Sequence, residues 1–128
     1  MREPPLVVLV CGGRDFTDRA AVFAALDAVL AQGPVHVITG GARGVDSLAI
    51  EWAEQRGVSW QTYAADWRRH GNRAGPIRNQ QMIDEGKPDF VLGFPGGSGT
   101  ADMLSRARRA GVMVSEPLAD ADLFTRSR

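Results

Sequence analysis

The sequence predicts an α/β fold, a three-layer sandwich of helices around a five-stranded parallel sheet, and three observations carry that expectation. Short apolar runs rich in β-branched residues, such as Leu6-Val7-Val8-Leu9-Val10, are continuous rather than alternating. Strands covered on both faces read this way because neither face meets water. Segments of helical periodicity separate the runs, and glycines cluster where several runs end.

The elements follow in order. After the first strand, residues 18–31 place Val22, Ala25, Leu26, Val29 and Leu30 on one helical face, and Gly33-Pro34 stops the helix. Val35-His36-Val37-Ile38 is the second strand. Residues 43–56 set Val45, Leu48, Ala49, Trp52 and Ala53 at the spacing of a second helix, which puts Trp52 in the core, and Gly57 ends it. Residues 58–63, with Trp60 and Tyr63, are a weaker third strand. A third helix opens at Gly75-Pro76, where proline presets the first turn, and stops at Gly86 before Pro88. Phe90-Val91-Leu92 is the fourth strand, residues 100–110 the fourth helix closed by Gly111, and Val112-Met113-Val114 the fifth strand. Beyond it, residues 116–128 carry Leu118, Leu123 and Phe124, a tail or a short docking helix. Strand and helix thus alternate four times before a last strand. Right-handed crossovers then leave few topologies, and the expected one is Rossmann-like with strand order 3-2-1-4-5.

Composition narrows the function. A chain of 128 residues suits one domain, residues 1–128, and 44% apolar with 23% charged residues excludes wholesale disorder. Fifteen basic residues balance fifteen acidic ones, whereas a nucleic-acid binder normally carries a basic field, so nucleic acid is not the expected partner. The lone Cys11 excludes an internal disulfide and a thiolate cluster, and a reducing cytoplasm is the expected compartment. The apolar run Leu6–Cys11 is six residues, too short for a signal-peptide core or a membrane span. Fourteen of the fifteen basic residues are arginine, whose planar fork suits phosphates and carboxylates.

In open α/β sheets ligands sit beyond the carboxyl ends of the strands, where strand order reverses. The sequence is most unusual at those ends. Strand one runs into Cys11-Gly12-Gly13-Arg14-Asp15, strand two into Thr39-Gly40-Gly41-Ala42-Arg43-Gly44-Val45-Asp46, and strand four into Phe94-Pro95-Gly96-Gly97-Ser98-Gly99-Thr100. Eight of the fifteen glycines lie in these stretches. Glycine lets a ligand approach peptide N–H groups, and a helix beginning directly afterwards offers unpaired donors and partial positive charge. Together these turns describe a cradle for a nucleotide, or alternatively tight strand-to-helix turns that need glycine sterically. There is no G-x-x-x-x-G-K-[ST], no G-x-G-x-x-G after strand one and no G-x-S-x-G. P-loop, standard NAD-dehydrogenase and serine-hydrolase chemistry are therefore excluded. His36 and His70 are the only histidines and lack ligand spacing, so neither metal nor cofactor is expected.

These motifs resemble known families. Pro95-Gly96-Gly97-Ser98-Gly99-Thr100 is similar to the PGGxGT loop of LOG-type phosphoribohydrolases, and Thr39 to Asp46 resembles the S-G-x-A-x-G-[IV]-D stretch of the DNA-processing protein DprA. Both belong to the SLOG superfamily of Rossmann-like nucleotide binders. The fuller pattern is closer to the small YspA/YpsA-related SLOG proteins. It adds Gly12-Gly13-Arg14-Asp15-Phe16, Ala65-Asp66-Trp67, Gly71, and Ala74-Gly75-Pro76-Ile77-Arg78-Asn79 through Met82. The resemblance spans residues 6–115 and implies a nucleotide or nucleotide-derived ligand, bound by a sensor or a processing enzyme. A LOG-like enzyme would cleave the base–ribose bond of a nucleoside monophosphate with an arginine and a glutamate, and a DprA-like module would bind nucleic acid. Homodimers are usual among relatives. Arg78 and Met82 match the LOG arginine pattern, but Met103 stands at the glutamate position with Asp102 one residue earlier. A one-residue helical shift turns a side chain by about 100°.

The candidate ligand-binding set is Gly12, Gly13 and Arg14, then Gly40, Gly41, Arg43, Gly44 and Asp46, then Arg78 and Asn79, then Pro95, Gly96, Gly97, Ser98, Gly99 and Thr100. Arg78 and Asp102 are the candidate catalytic residues. Arg14 either contacts a phosphate or pairs with Asp15 or Asp18 at the surface. Asp46 either accepts from ribose hydroxyls or stabilises its own helix dipole. Thr100 either donates to phosphate with Ser98 or caps the fourth helix. Trp67 and residues 68–73 form a loop placed to cover the ligand.

Overall fold

A computed structural model of the protein describes residues 4–120. Its sheet has five parallel strands in the order β3-β2-β1-β4-β5, with β1 Leu6–Cys11, β2 Val35–Thr39, β3 Ser59–Thr62, β4 Phe90–Gly93 and β5 Met113–Ser115. The Rossmann-like topology read from the sequence is the one observed. Among the described residues, five α-helices lie between the strands: α1 Arg19–Leu30, α2 Val45–Arg56, α3 Trp67–His70, α4 Ala74–Asp84 and α5 Ser98–Arg109.

Side chains of β1 alternate between two buried clusters, as the period of a strand requires. Val8 and Val10 pack with Val22, Phe23 and Leu26 of α1 and with Val45, Ala49 and Trp52 of α2. Leu9 and Cys11 face the other way, onto Met82 of α4 and Met103, Leu104 and Ala107 of α5. Trp52 is fully buried, and its ring N–H donates to Asp27 Oδ1 at 2.8 Å. Arg56 grips both oxygens of the same carboxylate at 2.9 and 3.0 Å. That shared carboxylate ties α1 to α2 over the sheet.

Helix ends shift from their expected positions for identifiable reasons. Asp18 caps α1 by accepting from Ala21 N at 3.1 Å. α2 begins at Val45 rather than at residue 43, because Gly44 holds φ 80° and ψ −129°, outside any helical region. It ends as expected at Gly57, with φ 66°, and Val58 N donates to Ala53 O at 2.8 Å. α5 starts at Ser98, two residues before the expected Thr100, so Thr100 is inside its first turn and is not the cap. β5 starts at Met113 rather than Val112, whose N–H is committed to Ala107 O at 3.0 Å. The segment 67–73, expected as a loop, is the short α3, capped by Asp66 through Arg69 N at 3.1 Å, followed by a 3₁₀ turn Gly71–Arg73 that runs into α4. After β5, residues 117–120 form a helical turn with Leu118 against the first core cluster, whereas Leu123 and Phe124 lie outside the described residues. No helix among the described residues is long and apolar enough to cross a membrane.

Candidate functional site

The glycine turns after β1, β2 and β4 converge at the reversal of strand order between β1 and β4, and they touch through their backbones. Gly13 N donates to Pro95 O at 2.8 Å, and Val45 N donates to Gly13 O at 3.2 Å. Two glycines make this approach possible. A Cβ on Gly44 would collide with Gly13 O, and one on Gly96 would stand 2.7 Å from Gly13 N. Neither approach leaves room for a side chain.

Beside these turns lies an open cleft of about 700 Å³. Of the residues expected from sequence, Gly12, Gly13, Arg14, Gly40, Asp46, Arg78, Asn79, Gly97, Ser98, Gly99, Thr100 and Asp102 line it. Gly41, Arg43, Gly44, Pro95 and Gly96 do not. Gly44, Pro95 and Gly96 instead hold the turns together. Arg43 points into solvent and pairs with Asp15 at 3.2 Å. That pair also leaves Arg14 without a carboxylate partner among the described residues, so the surface ion pair considered for Arg14 does not form.

Several amides of the first two turns are spent on the protein itself. Gly41 N donates to Thr39 Oγ1 at 3.0 Å and Ala42 N to Asp46 Oδ2 at 3.1 Å. The turn after β4 differs. Its first intrahelical bond is Ala101 N to Gly97 O at 3.1 Å, and the amides of Ser98, Gly99 and Thr100 find no acceptor among the described residues. The first turn of α5 therefore presents free donors and the positive end of a helix dipole to the cleft.

Arg78 reaches across from α4, half buried. Its Nη1 donates to Gly40 O at 2.9 Å and Tyr63 O at 3.2 Å, and its Nε donates to Asn79 Oδ1 at 3.1 Å. Burial destabilises its charge, the carboxylate of Asp46 partly restores it, and the charge of Arg14 opposes it further. Asn79 passes the contact on: its Nδ2 donates to Asp102 Oδ2 at 3.0 Å and Gly99 O at 3.2 Å. Asp102 also accepts from Arg106 Nε at 2.8 Å, and Arg106 donates to Gln80 Oε1 at 3.0 Å. Burial pushes the Asp102 carboxyl up, but the hydrogen bonds from Arg106 and Asn79 and the charges of Arg106 and Arg109 outweigh it. The carboxyl is held below its ordinary value and is therefore an anion, not a proton donor.

Asp46 is the opposite case. It lies in the first turn of α2, is 7% exposed and faces the cleft. Burial pushes its carboxyl up to about 6, against backbone hydrogen bonds from Ala42 and Gly40 and the charges of Arg78 and Arg14. Cys11, at the end of β1, is pushed up to about 12 by burial and by the charges of Asp46 and Glu116, so its thiol stays protonated. Met103 is 1% exposed and belongs to the second core cluster, at the floor of the cleft.

The sequence missed the Arg106 end of the polar chain, for which the i, i+4 spacing from Asp102 was the available signal. Cys11, Asp15, Ala42, Gly75, Pro76 and Met82 also line the cleft and were not among the expected site residues. Trp67 and Asn72, in the segment expected to cover the ligand, line it too.

The raised Asp46 carboxyl has a consequence for stability. Its folded value lies above the ordinary 3.8, so its contribution is fully present below that pH and is lost as pH rises through about 6. Ionising it in the folded protein costs on the order of 3 kcal/mol, because a tenfold change in a protonation constant corresponds to about 1.4 kcal/mol. Asp46→Asn, which keeps an acceptor for Ala42 N, is expected to melt several degrees higher than the native protein at pH 8 and by a shrinking margin towards pH 4. A margin independent of pH in thermal melts would contradict this account.

A doubly wound parallel sheet with glycine turns meeting beside a cleft lined by two arginines and three carboxylates defines a Rossmann-like α/β protein of the kind that places ligands at the strand reversal. Within that class, the chain belongs to the YspA, cpYpsA-related SLOG family, whose model matches residues 6–70. It is 40% identical over 116 residues to the Gene 61 protein of Mycobacterium phage D29, covering 84% of this chain and 92% of that protein. Its fold is shared with TM1055, a structural genomics target solved by X-ray crystallography. There the TM-score is 0.66 at 21% identity, over 85% of this chain and 72% of that one. The family match takes in the turns after β1 and β2 but ends before α4 and the turn after β4.

Proposed function

We propose that the cleft binds a nucleotide or a nucleotide-derived ligand. Its phosphate would rest on the free amides of Ser98, Gly99 and Thr100, facing Arg14 and Arg78. The observation that carries this reading is the set of hydrogen-bond donors without acceptors, with an unpaired guanidinium, among the described residues of one crevice. Arg14 has no carboxylate partner among the described residues, Arg78 is half buried, and three amides at a helix start lack acceptors there. An anion supplies the acceptor that Arg14 and the three amides lack, and Arg78 stands beside it already oriented. Asp46, Asn79 and Asp102 then provide polar groups for ribose hydroxyls.

Thermal-shift screening against nucleotides tests it. A ligand at a hundred times its dissociation constant stabilises the folded state by about 2.7 kcal/mol, which moves the melting temperature by roughly 10 °C in a chain of this size. No shift with any nucleoside mono-, di- or triphosphate would end the proposal.

One feature favours a processing enzyme over a sensor. Asp46 is a buried cleft carboxyl whose burial pushes it up to about 6, towards the range that suits a general acid or base. Asp102, anchored by Arg106 and Asn79, suits electrostatic stabilisation of a developing cation. If the enzyme reading holds, incubation with AMP releases adenine and ribose 5-phosphate, and Asp46→Asn slows the release far more than it weakens binding.

A further inference from the structure

We propose that Trp67 is the shelf on which the ligand's base stacks, so that the cleft selects a purine nucleotide over a bare sugar phosphate. This rests on the reading of the cleft as a nucleotide site and adds where the base goes.

Trp67 is 51% exposed, yet it is part of the cleft wall rather than an isolated surface residue. It opens α3, and its ring edge comes to 3.5 Å from where a Cβ of Gly75 would stand, so the indole leans on the first turn of α4. Asn72, in the 3₁₀ turn that follows α3, also borders the cleft, with an amide able to donate and accept. A half-exposed indole and an amide lining one cleft are the stacking surface and edge recognition that a nucleobase uses.

The spacing along α4 fits. Asn79 lies four residues after Gly75 and donates to Gly99 O in the first turn of α5, at the free amides. Four helical residues advance about 6 Å. The indole thus stands against the first turn of α4, and the free amides of α5 stand against a residue one turn further along the same helix, with both groups lining one cleft. Trp52 is fully buried among the helices, and Trp60 sits on the edge strand β3, so neither borders the cleft.

The test compares AMP with ribose 5-phosphate by calorimetry on the full chain, in the native protein, Trp67→Phe and Trp67→Ala. The native protein should bind AMP at least tenfold more tightly than ribose 5-phosphate, in line with base–aromatic stacking. Trp67→Ala should lose that margin and keep its affinity for ribose 5-phosphate, while Trp67→Phe keeps most of the margin. AMP should also quench tryptophan emission in the native protein and much less in Trp67→Phe. Should nucleotides bind while Trp67→Ala leaves AMP affinity unchanged, or weakens both ligands equally, the shelf is refuted and the cleft assignment stands. Binding of neither ligand, nor of any nucleotide, refutes both.

Discussion

Gly44→Ala is expected to destabilise the protein by about 3 to 5 kcal/mol, a fall in melting temperature of roughly 10 to 20 °C. Two costs combine at this position. The backbone holds φ 80° and ψ −129°, which residues with a Cβ rarely adopt, and such strain costs on the order of 1 to 3 kcal/mol. The added methyl would also collide with Gly13 O and stand 2.6 Å from Arg14 O, so the turns after β1 and β2 must separate. Separation breaks the bond from Val45 N to Gly13 O and opens the mouth of the cleft. Gly57→Ala is the control. Gly57 also has a positive φ, 66°, but nothing lies within 4 Å of its missing Cβ. It should cost only about 1 kcal/mol, the ordinary penalty for a left-handed residue. Equal effects of the two substitutions in thermal melts would show that conformation alone, not the meeting of turns, makes Gly44 necessary.

On the proposed function, Arg78→Ala is expected to weaken nucleotide binding about ten- to a hundredfold while lowering the melting temperature by only a few degrees. A charge-assisted hydrogen bond contributes about 1.5 to 3 kcal/mol, and about 1.4 kcal/mol corresponds to a tenfold change in affinity. Arg78 is fixed through Nη1 and Nε by Gly40 O, Tyr63 O and Asn79, so its fork is already oriented when a ligand enters. Arg78→Lys retains the charge without the fork and should recover only part of the loss. Arg14→Ala removes an exposed and unfixed cation, and about a tenfold loss is expected. Calorimetry that found Arg78→Ala binding as tightly as the native protein would remove the guanidinium from the site.

The sheet was legible because its signals are local. Continuous apolar runs such as Leu6 to Val10 report burial on both faces, and right-handed crossovers turn the order of elements into a strand order. The starts of α2 and α5 were less legible, since Gly44 and Gly96 stand against the turn after β1, a contact that no local signal records. α3 carries one apolar residue in four, too little for a periodic signal, and it depends on the Asp66 cap.

Site residues were visible as types and not as relations. Asp46 at a helix start looks like any carboxylate favoured by the dipole, and only packing shows that it is buried. Asn79 reads as a polar helix residue, whereas it joins Arg78 to Asp102 between α4 and α5. Contacts of that kind depend on how two helices lie against one sheet, which one-dimensional spacing does not record.

Because the turns after β1, β2 and β4 are stitched to one another by main-chain bonds, the crevice is assembled when the chain folds. A nucleotide binding there as proposed would meet a mouth already formed, with no loop left to order. Its rate of capture should accordingly follow diffusion, quickening in dilute salt to the extent that Arg14 and Arg78 outweigh the neighbouring carboxylates.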